Sequence, residues 1–248
     1  MALLSLDGVT KKFGEVVVAD NITFQLNEGE SLGIVGPNGA GKTSLFGIIS
    51  GDLKPEKGSI TLEGVNLLAL STWSRTHAGV GRTYQVPRPF EHMTTFENVL
   101  VAAQQGARLR GQSAYDAAYA ALLTTGLANF SDRPAANLGL MHRKRLELAR
   151  ALAGRPRALL LDEIAGGLTD LEVNELTGIV AGLQRDGIAV IWIEHVVRAL
   201  VSTVSRLICL ANGSIVADGR PDEVLASEEV RSVYLGSGFS GTGERATR

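Results

Sequence analysis

A segment early in the sequence has the residue types and spacing that bind the phosphates of a nucleotide. Residues 36–43 read Gly-Pro-Asn-Gly-Ala-Gly-Lys-Thr and fit the pattern G-x-x-x-x-G-K-[ST] of a phosphate-binding loop. Glycines let the backbone approach an anion closely, and the N–H groups that open a following helix then face it. We expect Lys42 to bridge the β- and γ-phosphates and the Thr43 hydroxyl to ligate Mg²⁺. The predicted nucleotide-binding residues of this segment are Gly36, Pro37, Asn38, Gly39, Ala40, Gly41, Lys42, Thr43 and Ser44.

Two adjacent carboxylates, Asp162 and Glu163, stand where the strand-like run at residues 157–162 ends. Asp162 could help to hold Mg²⁺ beside a phosphate-binding loop. Glu163 could orient or deprotonate a water that attacks the γ-phosphate. Acidic residues after a strand also cap helices, so the pair indicates this chemistry only in combination with the phosphate-binding loop.

A histidine and a glutamine are further candidates. His195 follows a second strand-like run at residues 187–193, and ligands gather where loops leave the carboxyl edge of an α/β sheet. His195 could therefore sense the γ-phosphate. Without the other motifs, His195 would be interpreted as a structural histidine and Gln85 as an ordinary polar loop residue.

Periodicity and turn residues predict the elements that position these groups. The apolar runs at residues 157–162 and 187–193 are separated by a helix-length segment, which predicts buried parallel strands in a βαβ unit. A helix is predicted at residues 43–49. Runs rich in β-branched residues predict further strands at residues 16–18, 22–26, 31–35 and 59–63.

The middle of the chain, residues 90–154, has a helical character. Thr94 and Glu97 have the spacing of a capping box. We predict a helical subdomain inserted in an α/β core, and a flexible tail rich in Gly, Ser and Thr at residues 237–248. The residues at helical spacing are Ala114, Ala117, Ala118, Ala121 and Leu122.

The composition is that of an ordinary globular protein. With 24 basic and 26 acidic residues the net charge is −2, which gives no overall attraction to nucleic acid or anionic lipid. The single cysteine, Cys209, stands in an apolar run and is expected to be buried, and a reducing cytosol fits this usage. The apolar runs are shorter than the ~20 residues needed to cross a bilayer, and residues 1–7 have no signal-peptide pattern.

Taken in order, these motifs resemble the ATP-binding subunit of ABC transporters, and within that group the branched-chain amino-acid uptake family. The resemblance extends over residues 4–236 and implies one ABC ATP-binding domain at residues 1–236. The implied fold is α/β, a P-loop NTPase core with an N-terminal antiparallel β subdomain and an inserted α-helical subdomain. The most similar segments are residues 82–90, 93–99, 193–195 and 230–236.

The resemblance also implies roles for single residues. Phe13 matches the aromatic residue that stacks on adenine. Gln85 matches the glutamine that contacts Mg²⁺ and the attacking water and couples to the membrane subunit. Asp162 matches the Mg²⁺-supporting aspartate, Glu163 the catalytic base and His195 the γ-phosphate contact.

By the same resemblance, ATP and Mg²⁺ are the cofactors of a transport ATPase that energises an importer. The chain would lie peripherally at the cytoplasmic face of the cell membrane, bound to transmembrane permease subunits and indirectly to a substrate-binding protein. No nucleic acid is expected. A coupling helix of the permease would dock after Gln85, or this segment is a turn that packs on its own domain. The candidate docking residues are Pro87, Pro89, Phe90 and Met93.

The segment that matches the family signature Leu-Ser-Gly-Gly-Gln departs from it. In the family this signature binds the γ-phosphate of ATP held by the opposite subunit. Gly139 lacks the serine hydroxyl, and Met141 is expected to crowd the approach of a phosphate to the backbone. Ile164 replaces the usual proline after Glu163, and Thr169 stands where aspartate is common. The signature segment here is Leu138, Gly139, Leu140, Met141 and His142.

The altered signature segment favours a heterodimer with a related ATPase that supplies an intact signature. A symmetric dimer in which Met141 bends aside, and a signature altered by engineering or relaxed selection, are the alternatives. A non-transport ABC ATPase and a regulatory nucleotide-binding subunit are alternative functions. The only obvious basic cluster, Arg143, Lys144 and Arg145, is interpreted as a solvated face.

Overall fold

The computed structural model describes residues 2–195 and 197–235. The predicted tail at residues 237–248 lies outside the described residues. A four-stranded antiparallel sheet opens the fold, with spatial order β2-β1-β4-β5. Its strands are β1 (Ala2–Phe13), β2 (Val16–Asn27), β4 (Lys57–Leu62) and β5 (Val65–Asn66).

Strand β1 was not predicted, and the two runs predicted at residues 16–18 and 22–26 are parts of the single strand β2. The pairing of β1 with β2 shifts register on either side of Val9, which is opposite Ile22. Gly8 at φ +61° and Asn21 at φ +52° mark the two irregularities. Such bulges break the strict alternation of apolar and polar residues by which strands are predicted.

The central sheet has six strands in the order β10-β9-β3-β8-β7-β6. Strand β3 is parallel to both of its neighbours, and β7 pairs in parallel with β8 and β6. The parallel strands predicted near residues 157–162 and 187–193 are confirmed, one and two residues shorter at their starts. The strands are β3 (Ser31–Val35), β6 (Val80–Arg82), β7 (Ala158–Asp162), β8 (Ala189–Ile193), β9 (Arg206–Ala211) and β10 (Ser214–Gly219).

Helices surround this sheet. Helix α1 (Lys42–Ser50) follows β3, and α6 (Asp170–Arg185) connects β7 to β8. None of the helices in the described part of the chain is long and apolar enough to span a membrane. The shorter helices are α2 (Thr72–Ala78), α7 (Val197–Val201), α8 (Pro221–Ala226) and α9 (Glu228–Leu235).

Three helices of the middle segment pack around an apolar cluster of their own: α3 (Thr95–Gln105), α4 (Gln112–Thr124) and α5 (Leu140–Ala153). The predicted capping box opens α3, because Thr94 accepts a hydrogen bond from the Glu97 backbone and Glu97 accepts one from that of Thr94. Four of the five residues predicted at helical spacing are buried in this cluster, and the fifth, Ala117, packs against it.

Apolar clusters cover both faces of the central sheet. In β7, Leu160 belongs to the cluster shared with the antiparallel sheet and α1, whereas Leu159 and Leu161 belong to the cluster shared with α5 and α6. Successive side chains of a strand point to opposite faces, so a sheet covered on both sides is built from continuous apolar runs. Cys209 lies in the second cluster, as predicted, and burial raises the pKa of its thiol to about 11.

Candidate functional site

The phosphate-binding loop joins the carboxyl end of β3 to α1, and its backbone geometry requires glycine at two positions. Gly36 has φ +149°, and a Cβ there would lie 2.1 Å from the carbonyl oxygen of Leu210. Gly41 has φ +101°, and a Cβ there would lie 2.0 Å from the carbonyl oxygen of Val18. Both distances are far below van der Waals contact, so a side chain cannot be accommodated at either position. The loop is thereby held between β9 and β2.

Lys42 begins α1 and turns its ammonium group back over the loop. Nζ donates to the carbonyl oxygens of Gly36 at 2.7 Å and Pro37 at 3.0 Å. Burial lowers the pKa of Lys42, and the carboxylate of Glu163 is the largest opposing influence. Thr43 is exposed in the same helical turn, which contains no acidic side chain. A cation, a hydroxyl and the free N–H groups of a helix N-terminus suit a polyphosphate.

Asp162 lies at the carboxyl end of β7 and is 3% exposed. Its Oδ2 accepts a hydrogen bond from Arg82 at 3.0 Å, whereas its Oδ1 is buried without a partner among the described residues. Burial raises the pKa of Asp162, and the hydrogen bond from Arg82 opposes that shift. A buried carboxylate oxygen requires a partner, and oxygen ligands of this kind suit Mg²⁺. The donor set therefore fits a magnesium ion.

The Glu163 carboxylate is held between the two other predicted catalytic side chains. Gln85 Nε2 donates to Oε2 at 2.5 Å, and His195 Nε2 lies 2.9 Å from Oε1. Glu163 has φ +48°, and its N–H donates to the carbonyl oxygen of Ile193 at 2.9 Å. The structure therefore brings together three residues separated by up to 110 positions in the sequence, and it holds the central one in an uncommon backbone conformation.

Phe13 ends β1 and is 49% exposed. It pairs with Val16 in β2, the strand whose Val18 carbonyl lies against Gly41 of the phosphate-binding loop. The ammonium group of Lys11 lies 5.1 Å from the centre of its ring. The exposed aromatic face is thus carried by the hairpin that flanks the loop, where a planar base could stack on it.

Lys144 was interpreted as part of a solvated basic face, and that prediction is wrong. Lys144 is 4% exposed, and its ammonium group donates to the backbone carbonyl of Glu163 at 3.2 Å. Its neighbours are also engaged, since Arg143 donates to the Leu138 carbonyl at 2.8 Å and Arg145 pairs with Glu175. Helical spacing turns Lys144 toward the core, a direction that a run of three cations in the sequence does not reveal.

Glu194 is a second buried charged residue that sequence reasoning missed. It is 2% exposed and accepts hydrogen bonds from the Ala165 N–H at 2.6 Å and the Trp192 indole at 3.1 Å. Burial raises the pKa of Glu194 to about 7, against these two hydrogen bonds and the nearby Lys144 ammonium. Glu194 therefore fixes the backbone just after Glu163. Its position directly after a buried strand is the only signal in the sequence.

The comparison with known families agrees with this geometry. The sequence model described as "ABC transporter" matches residues 19–166, and that described as "Branched-chain amino acid ATP-binding cassette transporter" matches residues 214–240. The chain belongs to the ABC transporter ATP-binding family.

Relatives and solved structures support the same assignment. The ABC chain is 34% identical to the high-affinity branched-chain amino acid transport ATP-binding protein LivG of Salmonella typhimurium, over 94% of this chain and 98% of that one. It is 29% identical to the lipopolysaccharide export system ATP-binding protein LptB of Haemophilus influenzae, over 96% and 99%. The ADP conformation of an ATP-binding cassette of an ABC transporter superposes with a TM-score of 0.87 at 28% identity, covering 95% of this chain and 99% of that one. The predicted α/β P-loop fold is confirmed.

The altered signature segment of this ABC cassette opens α5 at a place apart from the phosphate-binding loop. Gly139 is the N-cap, and Leu140, the first residue of the helix, is 47% exposed. Met141 is 7% exposed and lies in the same apolar cluster as Leu148, two helical turns further on. Met141 also lines the depression at the start of α5, together with Gly139 and Gly167. The expectation that it crowds the approach of a phosphate to the backbone stays a prediction. His142 stacks on Phe130, with ring centres 4.2 Å apart.

A groove of about 470 Å³ lies between α2, the segment after β6, α3 and α5. The aromatic residues Trp73 and Tyr84 line it and are 55% and 42% exposed. The predicted docking residues Pro87, Pro89, Phe90 and Met93 lie beside the groove rather than among its lining residues. The backbone around Phe90 and Met93 is fixed by the buried Asn98, whose amide donates to the carbonyl oxygen of Phe90 at 3.0 Å.

Proposed function

We propose that this chain is the ATP-hydrolysing subunit of an ABC importer for branched-chain or related amino acids. The observation that carries the proposal is the Glu163 carboxylate, held between Gln85 and His195 and adjacent in the chain to Asp162. This places an acceptor for a proton next to residues suited to hold a metal and a phosphate.

The nucleotide would bind along the edge formed by the β1–β2 hairpin and the phosphate-binding loop. Phe13 would stack on adenine, and the backbone N–H groups of the loop, with Ser44 in the first turn of α1, would contact the phosphates. Lys42 would exchange its two carbonyl acceptors for phosphate oxygens. Thr43, Gln85 and Asp162 would hold Mg²⁺, which when bound neutralises phosphate charge.

Glu163 would accept a proton from the water that attacks the γ-phosphate. Its two carboxylate oxygens are oriented by Gln85 and His195, and each oxygen retains a further lone pair for the water. Gln85 would also contact the water, and His195 would contact the γ-phosphate. The hydrogen bonds of Ala165 to Glu194 and of Lys144 to the Glu163 carbonyl keep this backbone in place during the reaction.

Replacing the carboxylate by an amide tests this mechanism. We expect Glu163→Gln to lower the rate of ATP hydrolysis by about 10²- to 10⁴-fold, because the amide cannot accept the proton. ATP affinity should change little, since Gln85 and His195 are the side chains that contact this carboxylate. Glu229→Gln is the matched control, the same chemical change at an exposed position in α9. Wild-type turnover of the native assembly with Glu163→Gln would contradict the role of Glu163 as proton acceptor and favour a regulatory subunit.

The permease subunits would dock in the groove lined by Trp73 and Tyr84, which places the chain peripherally at the cytoplasmic face of the cell membrane. A substrate-binding protein would act through them. The match at residues 214–240 favours amino acids, whereas the LptB relative is named for lipopolysaccharide export. Membrane vesicles that contain the native assembly distinguish these functions. ATP-dependent uptake of radioactive leucine is expected, and its absence would contradict the amino-acid proposal.

A heterodimer with a second ABC ATPase is the favoured assembly. The signature segment has no side chain that caps α5, and the first residue of the helix is the exposed Leu140, so this chain offers little to bind ATP held by a partner. Purified Glu163→Gln should therefore bind Mg²⁺-ATP yet stay monomeric in sedimentation experiments. An ATP-dependent homodimer would overturn this assembly and leave the ATPase proposal intact.

A further inference from the structure

Arg82, at the end of β6, connects two parts of the proposed metal site. Its Nη2 donates to Asp162 Oδ2 at 3.0 Å at the end of β7. Its Nη1 donates to Ser50 Oγ at 3.0 Å and to Asp52 Oδ2 at 2.8 Å, where α1 ends. One guanidinium group therefore links the strand that carries Asp162 to the helix that carries Thr43.

The surroundings of Arg82 allow its guanidinium little freedom. Its side chain is 9% exposed. The guanidinium carbon lies 5.9 Å from the ring centre of Phe46 in α1 and 5.0 Å from that of Tyr84. A planar fork with a fixed orientation can hold a carboxylate in one rotamer, which a flexible ammonium group does less well.

The contact made by Arg82 decides which oxygen of Asp162 is free. Oδ2 is occupied by the guanidinium, and Oδ1 is buried with no partner in the described part of the chain. The other end of the link lies about 10 Å along α1 from Thr43, at the 1.5 Å rise per residue of a helix. Arg82 thus fixes the positions of the two proposed metal ligands, Asp162 and Thr43, relative to each other, without itself contacting the metal or the nucleotide.

We propose that Arg82 is a positioning residue, which directs Asp162 Oδ1 toward the magnesium ion and thereby sets the metal affinity of the nucleotide complex. This inference rests on the proposed function. Residues that orient metal ligands typically change metal affinity by about 10- to 100-fold when they are replaced. Arg82 also lines the groove with Tyr84, so the same side chain lies between the metal site and the surface proposed to receive the permease.

Charge and positioning predict opposite outcomes for the loss of Arg82. A cation next to a metal ligand repels a divalent ion, so by charge alone its removal would tighten metal binding at a pH where Asp162 stays ionised. If Arg82 positions Asp162, its removal weakens metal binding despite the lost repulsion. Tighter metal binding without Arg82 would therefore indicate an effect of charge, and weaker metal binding an effect of positioning.

Mn²⁺ is the probe, because its free form is measured directly by electron paramagnetic resonance. The full chain is saturated with a non-hydrolysable ATP analogue and titrated with Mn²⁺. We expect Arg82→Gln to weaken Mn²⁺ binding by about ten-fold or more. Arg82→Lys should weaken it comparably, because one ammonium group cannot reach both ends of the link. Binding of the nucleotide without metal should change by less than about two-fold, a separation that general unfolding would not produce.

Asp52→Asn is the matched control, since it removes a charge at the α1 end while its amide oxygen can still accept from Arg82, and the Ser50 and Asp162 contacts of Arg82 stay in place. Its Mn²⁺ affinity should stay within about three-fold of the wild type, less than an orienting contact is worth. Unchanged or tighter Mn²⁺ binding in Arg82→Gln and Arg82→Lys would overturn the inference. Arg82→Lys keeps the buried charge and carries the test if Arg82→Gln does not fold. A wild-type chain with no nucleotide-dependent Mn²⁺ binding would instead contradict the proposed metal site itself.

Discussion

The two helices α1 and α5 both begin at a glycine without a side-chain cap, yet only α1 begins at the proposed phosphate site. At α1, Gly41 has φ +101° and the buried Lys42 follows it. At α5, Gly139 has an extended backbone, and an exposed leucine follows it. The free N–H groups of a helix N-terminus are therefore common to both ends.

What distinguishes the α1 end is its surroundings. The loop in front of it is held by β2 and β9, and the Glu163 carboxylate acts on the Lys42 ammonium group. The α5 end is surrounded by the loop after Glu163 and by α6, and its fourth signature position, Met141, belongs to the core. A helix N-terminus becomes a phosphate site only where close backbone approach and a cation accompany it.

The largest difference between the two helix starts is expected when a methyl group is added at Gly41 and at Gly139. Gly41→Ala should abolish ATP binding and lower the free energy of unfolding by at least about 3 kcal/mol, because its Cβ would overlap the Val18 carbonyl. Gly139→Ala should cost about 1 kcal/mol or less, because no atom lies within 4 Å of its Cβ and the remaining cost is that of a poorer N-cap residue. Urea unfolding and nucleotide titration measure both variants. Equal effects would show that the two helix starts are equivalent.

The next effect concerns the place of Met141 in the core. Met141→Ala should lower the free energy of unfolding by about 2–3 kcal/mol, since it removes a buried side chain from the cluster around Leu148. Leu140→Ala, at the exposed neighbouring position, should cost less than about 1 kcal/mol. Thermal and urea unfolding check the difference. A larger loss of free energy of unfolding for Leu140→Ala than for Met141→Ala would mean that Leu140, and not Met141, is buried in the core.

The pH dependence of stability tests Glu194, the buried carboxyl after β8 that feels the charge of Lys144 in α5. Because burial raises the pKa of Glu194 from 4.5 to about 7, its contribution to stability is fully present below pH 4.5 and is lost as the pH rises through 7. Glu194→Gln keeps an acceptor for Ala165 and Trp192 and does not ionise. Relative to the wild type, this variant should gain on the order of 2 kcal/mol between pH 5 and pH 8.

Urea unfolding of both proteins at the two pH values provides the measurement. Lys144 and Glu163 are the charged groups that act on Glu194 from α5 and from the end of β7. Glu15→Gln, at an exposed position, should show no such dependence on pH. A difference between Glu194→Gln and the wild type that stays constant from pH 5 to pH 8 would show that Glu194 is already ionised in the folded protein.

The smallest effect is expected from restoring the serine of the family signature. Gly139→Ser would supply a hydroxyl to cap α5 and should stabilise the chain by only a few tenths of a kcal/mol. Differential scanning calorimetry is sensitive enough to detect the shift in Tm. A gain in the free energy of unfolding above about 1 kcal/mol would mean that the N–H groups at the start of α5 are poorly satisfied by water in the wild-type chain.

Several features of this protein follow from residues that are close together in the sequence. The phosphate-binding loop is recognisable because its glycines, lysine and threonine fall within eight positions, and its backbone conformation depends on the absence of side chains there. The capping box of α3 spans four residues, and the buried parallel strands are apolar throughout. The family motifs added the candidate roles of Gln85, Glu163 and His195.

The tertiary structure alone decided which way the remaining charged side chains point. Arg82 meets Asp162 across 80 positions, and Lys144 meets the Glu163 backbone across 19. Met141, which the sequence suggested only as a group that crowds the approach of a phosphate, is part of the core. Whether a cation or a methionine faces solvent depends on how a helix is rotated against the sheet, and that rotation is set by packing of apolar residues distant in the sequence.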